Sequence, residues 1–277
     1  MAGLPAWGET RNPFRQLADG FFVFIASVAY RLWLTYLFIL AILFLQFFGG
    51  FPLESRCLAV TVEEWAMSKK PRILVFASGS ATGGGSGFAK MVEQSRGDDP
   101  VLDATIVGVV TNHESGGVRK KAEALGIAFV TMSDDIAFTA ERYQWLVQHF
   151  AADYVVFSDW PKEISGLEMA RTISIHPGPL PLTRGLYGHH VHEAVLTAYH
   201  RGEITKSAVT IHFVDGPEAF SAEVQIFPDD TPETLGARVN ACGHAWQSRI
   251  LDLIIHGDIR LVDREVISSV GSLHAPL

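Results

Sequence analysis

Apolar positions between residues 72 and 262 come in two kinds of run that take turns along the chain. Unbroken runs (ILVFA at 73–77, TIVGVV at 105–110, IAFVT at 127–131, YVVF at 154–157 and TISIH at 172–176) read as strands, and continuous apolar character suits a strand covered on both faces. The stretches between them have helical spacing. Residues 88–94 form one, and 117–125 form another closed by Gly126. Residues 138–150 place Tyr143, Leu146 and Phe150 on one stripe, and 189–199 place His192, Val195 and Leu196 on one side. This alternation predicts an α/β fold: a mostly parallel, doubly wound sheet with helices on its faces. Towards the C-terminus the pattern changes. Runs at 208–214 and 223–227 lie too close together for a crossover helix and read as an antiparallel pair. A last helix is predicted over 231–256, opened by Thr231-Pro232-Glu233, with an irregular tail after Asp263.

Ahead of this region the pattern differs again. Residues 20–53 are almost wholly apolar, with Arg31 as their one charge. The stretch 32–53 reaches the roughly 20 residues that a bilayer-spanning helix needs. It is too long, and too far from the first residue, for a cleaved signal segment. Basic residues on both flanks (Arg11 and Arg15, then Arg56, Lys69 and Lys70) leave its orientation open. Two readings stand side by side. In one, residues 1–66 are an extension whose hydrophobic helix anchors a cytoplasmic catalytic domain, 67–277, to a membrane. In the other, the working chain starts at Met67 and is cytoplasmic.

Composition narrows the partners. A chain of 277 residues, 48% hydrophobic, can bury one large core or two small ones. A formal net charge of −8 supplies no basic field for nucleic acid. The two cysteines, Cys57 and Cys242, make neither a disulfide framework nor a zinc spacing, and no metal is expected.

Candidate chemistry lies at two strand ends. After the first strand comes SGSATGGGSG, residues 78–87. Gly79 to Ser86 fits the P-loop spacing except that Gly85 stands at the lysine position, so the group that reaches β- and γ-phosphates is missing. The dinucleotide spacing G-x-G-x-x-G fails as well. Gly79, Ser80, Gly84, Gly85, Ser86 and Gly87 are therefore expected to cradle a single phosphate at a helix N-terminus; a turn with no ligand is the alternative. At the end of the fifth strand, His176 runs into Pro177-Gly178-Pro179. Ligands of open α/β sheets bind at such ends, and Ser174, two residues earlier, projects to the same side. A structural histidine is the competing reading.

The segment SIHPGPLP (174–181), followed by Arg184-Gly185-Leu186-Tyr187-Gly188-His189, resembles the core of the folate-dependent formyltransferases. The likeness runs from Arg72 to about Leu261 and takes in the glycine loop, VVTN at 109–112, VTIHFV at 209–214 and the stretch 234–244. It is nearest to the purine-synthesis branch, in which the amine of glycinamide ribonucleotide attacks the formyl carbon of 10-formyltetrahydrofolate. The resemblance implies a formyltransferase-like fold, small-molecule substrates (a phosphoribosyl amine and a formyl folate) and 10-formyltetrahydrofolate as co-substrate. It also implies that His176 is the general acid and that Ser174 stands at a second donor's position (Asn in relatives); Asp215, in a region shorter than relatives carry, aligns with the acid that raises the histidine's pKa, with a plain turn aspartate as the competing reading. Trp160, Pro161, Lys162, Glu163 and Ile164 match the folate-binding segment, and Arg184 and His189 would orient substrate. His190, His192 and His212 are taken as structural. The same resemblance admits a formyltetrahydrofolate hydrolase, a sugar-nucleotide formyltransferase or a non-catalytic phosphosugar or folate binder. A methionyl-tRNA formyltransferase is disfavoured by the short sequence after Arg264.

Overall fold

The computed structural model describes residues 70–80, 83–132 and 138–271. The apolar segment at 32–53 and the start at Met67 lie outside the described residues. By its contacts the chain divides into Met1–Lys69 and Lys70–Leu277, and the second unit holds every described residue.

The strands are β1 (Arg72–Ala77), β2 (Thr105–Thr111), β3 (Phe129–Thr131), β4 (Tyr154–Ser158), β5 (Thr172–His176), β6 (Lys206–Phe213), β7 (Glu218–Gln225), β8 (Ile259–Val262) and β9 (Glu265–Ser268). The helices are α1 (Ser86–Gln94), α2 (Gly117–Leu125), α3 (Ala140–His149), α4 (His189–His200) and α5 (Pro232–Ile255). Seven strands make one sheet in the order β3-β2-β1-β4-β5-β6-β7. The first five are parallel, and β6 runs against both β5 and β7. The predicted fold class is the one observed.

Period-2 alternation assigns each strand's side chains to one of two cores. Ile73, Val75, Ile173, Ile175, Val209, Ile211 and Phe213 join residues of α1, α2, α4 and α5 in the larger core. Leu74, Phe76, Val155 and Phe157 join Tyr143 and Leu146 of α3 in the smaller one. Each large side chain fully removed from water contributes about 1.5–3 kcal/mol, so burial on both faces holds the sheet against its helices. Local signals set the helix ends. Thr231 and Thr234 cap each other's backbone N–H groups at the start of α5, with Pro232 in its first turn. Gly126 ends α2 in the left-handed region at φ 67°.

Two expectations are corrected. The seventh strand was placed at 223–227 and instead covers Glu218–Gln225. A turn through Asp215 (φ 56°) and Gly216 closes so tightly, with Gly216 N–H donating to Phe213 O and Phe213 N–H to Pro217 O, that pairing begins at once. The tail after Asp263 is not irregular: β9 pairs with β8. Asp263 and Arg264, at φ 50° and 66°, form a two-residue turn with both residues left-handed, the geometry that matches strand twist. An Asp-Arg pair carries no glycine or asparagine to announce it.

Candidate active site

β5 and β6 face each other with Ser174 opposite His212 and His176 opposite Thr210. Side chains two apart share a face, so Ser174, His176, Thr210 and His212 all point away from the larger core. No helix among the described residues covers that face here; α3 packs on its β1 to β4 part. The gap is a cleft of about 680 Å³ lined by Trp160 to Gly166, Ser174, His176, Leu180, residues 184–187, His212 and Val214 to Gly216. Leu186 and Tyr187 at its mouth are exposed apolar groups, as a binding cleft rather than a closed core would have.

The loop after β5 fixes the histidine. His176 Nε2 lies 2.8 Å from Thr183 Oγ1, and that hydroxyl donates to Pro179 O at 2.9 Å. A threonine has one hydroxyl proton, so His176 Nε2–H is the donor and Nδ1 keeps its lone pair. Gly178 makes the approach feasible: a Cβ there would stand 2.5 Å from Thr183 Oγ1. Thr210 Oγ1 donates to Gly178 O at 2.8 Å and holds the same turn from β6. Burial is the main cause that lowers the His176 pKa to about 4, with His212 and His192 adding to it. The ring is neutral at pH 7.

Asp215 lines the cleft, but its charge falls on His212, whose pKa it raises against the larger lowering by burial. Arg264 Nη2 donates to the Asp215 carbonyl at 3.0 Å and ties this turn to the C-terminal hairpin. Ser174 faces the cleft with no protein hydrogen bond to its hydroxyl among the described residues. The segment from Trp160 to Ile164 forms the opposite wall and is pinned to α3. Trp160 Nε1 donates to Tyr143 Oη at 2.9 Å, Tyr143 donates to Glu163 O at 2.9 Å, and Gln144 donates to Gly166 O at 2.8 Å. Burial pushes the Tyr143 phenol up to about 12, so it stays a donor.

The glycine loop divides. Gly79 pairs with Gly84 and Ser80 with Gly83, with Ser80 N–H on Gly83 O and Gly83 N–H on Ser80 Oγ, and the start of α2 packs on this pair through Gly117 N–H. Gly79 and Gly84 meet there more closely than a Cβ permits, so close backbone packing accounts for both. Gly85 is the left-handed residue before α1 (φ 72°). Ser86 and Gly87 line a second cavity of about 30 Å³ with Ser158, Asp159, Pro177, Asn240, His244 and Gln247. An adjoining space of about 370 Å³ shares Asp159, Pro177 and Asn240 and adds His189, His192 and Glu233.

Of the residues picked from sequence, Ser174, His176, Asp215, Arg184 and Trp160 to Ile164 meet in the cleft. Ser86, Gly87 and His189 lie on the other side of Pro177, while Gly79, Ser80, Gly84 and Gly85 line neither space. Sequence reading missed Thr183, Asp159 and the cleft position of His212. The polar alternation of Thr210 and His212 between Val209, Ile211 and Phe213 was the signal for the last. Clusters of His, Cys, Asp and Glu able to hold a metal are absent among the described residues. None of the helices among them is long and apolar enough to cross a membrane.

Comparison with known proteins places this geometry. Phosphoribosylglycinamide formyltransferase of Escherichia coli (strain K12) is 23% identical over 193 residues, spanning 65% of this chain and 87% of that protein. The trifunctional purine biosynthetic protein adenosine-3 of Drosophila melanogaster is 27% identical over 213 residues; these are 72% of this chain, and the chain spans 15% of that relative's length. The crystal structure of phosphoribosylglycinamide formyltransferase from Brucella melitensis superposes with a TM-score of 0.55 at 26% identity, covering 73% of this chain and 100% of that one. Residues 71–251 match the formyl transferase family, and the chain belongs to it.

Proposed function

We propose that residues 67–277 are a catalytic domain transferring the formyl group of 10-formyltetrahydrofolate to the amine of glycinamide ribonucleotide. The observation that carries this is His176 at a strand end in the wall of a large cavity, suited to a folate, while its neighbours Ile175 and Pro177 line a small one beside the α1 N-terminus, suited to the acceptor. In this reading the formyl folate lies along Trp160 to Ile164, with Arg184 at the mouth. Ser86 and Gly87 take the acceptor's phosphate at the helix N-terminus. His189 lines the acceptor side of Pro177.

The reaction sets the demands. The amine lone pair forms the new N–C bond, the carbonyl pair moves to oxygen, and collapse expels N10 of tetrahydrofolate, which needs a proton. The Ser174 hydroxyl has no partner among the described residues to leave before it donates to the oxyanion. A neutral His176 with Nε2–H held by Thr183 presents Nδ1 as the atom that collects a proton from the attacking nitrogen. As imidazolium it supports the oxyanion and then acts as the general acid towards N10.

The test is an assay of the full chain with 10-formyltetrahydrofolate, with and without glycinamide ribonucleotide. Amine-dependent tetrahydrofolate release is the expected result. Formate without amine assigns a hydrolase, and no turnover with retained binding assigns a binder.

A further inference from the structure

The acceptor side of the His176-Pro177 step holds a charged group that the reaction scheme above leaves unused. Asp159 follows β4 directly and lines both parts of the second cavity, while its neighbour Trp160 lines the folate cleft. Its backbone sits in the left-handed region at φ 52°, sparsely populated for residues other than glycine although Asp and Asn tolerate it best. The carboxylate has no hydrogen bond or ion pair among the described residues, and desolvation by the cavity walls is the one cause acting on it. The side chain is exposed at the edge of these spaces, and the desolvation their walls impose raises its pKa. The other titratable groups on these walls are His189, His192, Glu233 and His244. Glu233 has a cationic neighbour at 3.7 Å in His189 when that ring is protonated. Burial lowers His192 and His244, so both are neutral at pH 7. His192 is also 7% exposed, with an Nδ1 that has no protein partner. Asp159 is therefore the negative charge on these walls with no partner among the described residues.

We infer that Asp159 is a catalytic residue of the acceptor half-site: its carboxylate pairs with the ammonium of the incoming amine and removes one of its protons. The inference rests on the formyl-transfer reading. Between ammonium and formamide the nitrogen loses two protons. One passes through His176 to N10 of the departing tetrahydrofolate, whose C–N bond breaks with the electron pair going to nitrogen. The other has no destination in that scheme; Asp159 takes it before attack and releases it to solvent afterwards. No further reactant is required.

The experiment measures transfer by the full chain from pH 6 to 9 for the natural sequence, Asp159→Asn and Asp159→Gly. Asparagine keeps the shape and the left-handed backbone without the charge, whereas glycine relaxes the backbone. Asp159→Asn is expected to lose about 100-fold in kcat/KM for the amine at pH 7, within the range for one acid–base group, with the KM for the formyl folate unchanged. The deficit should shrink about tenfold per pH unit as the amine loses its own proton, below that amine's pKa. Asp159→Gly should be no better than Asp159→Asn. A backbone role predicts the reverse, a fully active glycine variant, and that result overturns the inference, as does an asparagine variant that follows the natural protein at every pH. Absence of amine-dependent transfer by the natural chain overturns the reading beneath it, and the inference with it.

Discussion

The two faces of the β5–β6 pair are built from the same strands and do opposite things. On one, Ile173, Ile175, Ile211 and Phe213 lie under the helices of the larger core, nearly all removed from water. On the other, one residue along in each case, Ser174, His176 and His212 meet a cleft while Thr210, buried, holds the turn at Gly178. The closed face locks the register, and a slip of one residue would turn histidines into hydrocarbon. The open face inherits that precision at no cost of its own. A reactive side chain held to a fraction of an ångström needs a neighbour one position away that is immovable.

Substitutions on the two faces should therefore separate stability from turnover. Phe213→Ala, on the closed face, is expected to lose about 3–5 kcal/mol of stability, read as a fall in the urea midpoint, with little folded protein left to assay. His176→Ala, on the open face, should lower turnover by about 10²–10⁴-fold while shifting the urea midpoint far less than Phe213→Ala does. Equal midpoint losses would break the contrast.

Acid should distinguish the faces next. His176 is held below its unfolded value, so its contribution is intact above about pH 6.5 and drains away as pH falls through its folded value of about 4. The full loss is about 3 kcal/mol from this group. Denaturation at pH 7 and pH 4.5 should show a smaller pH effect in His176→Ala than in the natural chain. Thr183→Val removes the acceptor for His176 Nε2 and leaves a buried donor unpaired, about 1–3 kcal/mol; turnover should fall with the His176 titration displaced, visible in the imidazole NMR shifts. The smallest effect is expected of Arg264→Ala, which frees the Asp215 carbonyl. A change of less than 1 kcal/mol in stability and a modest rise in the KM for the formyl folate would be seen by calorimetry and steady-state kinetics.

Sequence pattern carried most of the sheet, because strands buried on both faces announce themselves as unbroken apolar runs such as ILVFA at 73–77. It carried His176 through Pro177-Gly178-Pro179, where the glycine admits Thr183. What escaped it was relational. His212 looked structural because its partner across the sheet, Ser174, is 38 positions away in the chain and is paired to it only by the fold. Asp159 was invisible because its direction depends on one backbone angle after β4. Gly79 and Gly84 approach each other more closely than a Cβ permits and pack on the start of α2, and a glycine-rich string has the same letters for that purpose as for cradling a phosphate. The pair Asp263-Arg264 hid a hairpin for want of a glycine.

That hairpin has a consequence for how the protein is made. Arg264 grips a carbonyl 49 residues upstream, so on the ribosome the floor beneath Asp215 emerges well before its tether. The sheet can close on an unfinished chain, and the turn beside His212 gains its last hydrogen bond only with the final antiparallel pair. A nascent chain halted just short of β8 would hold that turn by its own two backbone hydrogen bonds alone.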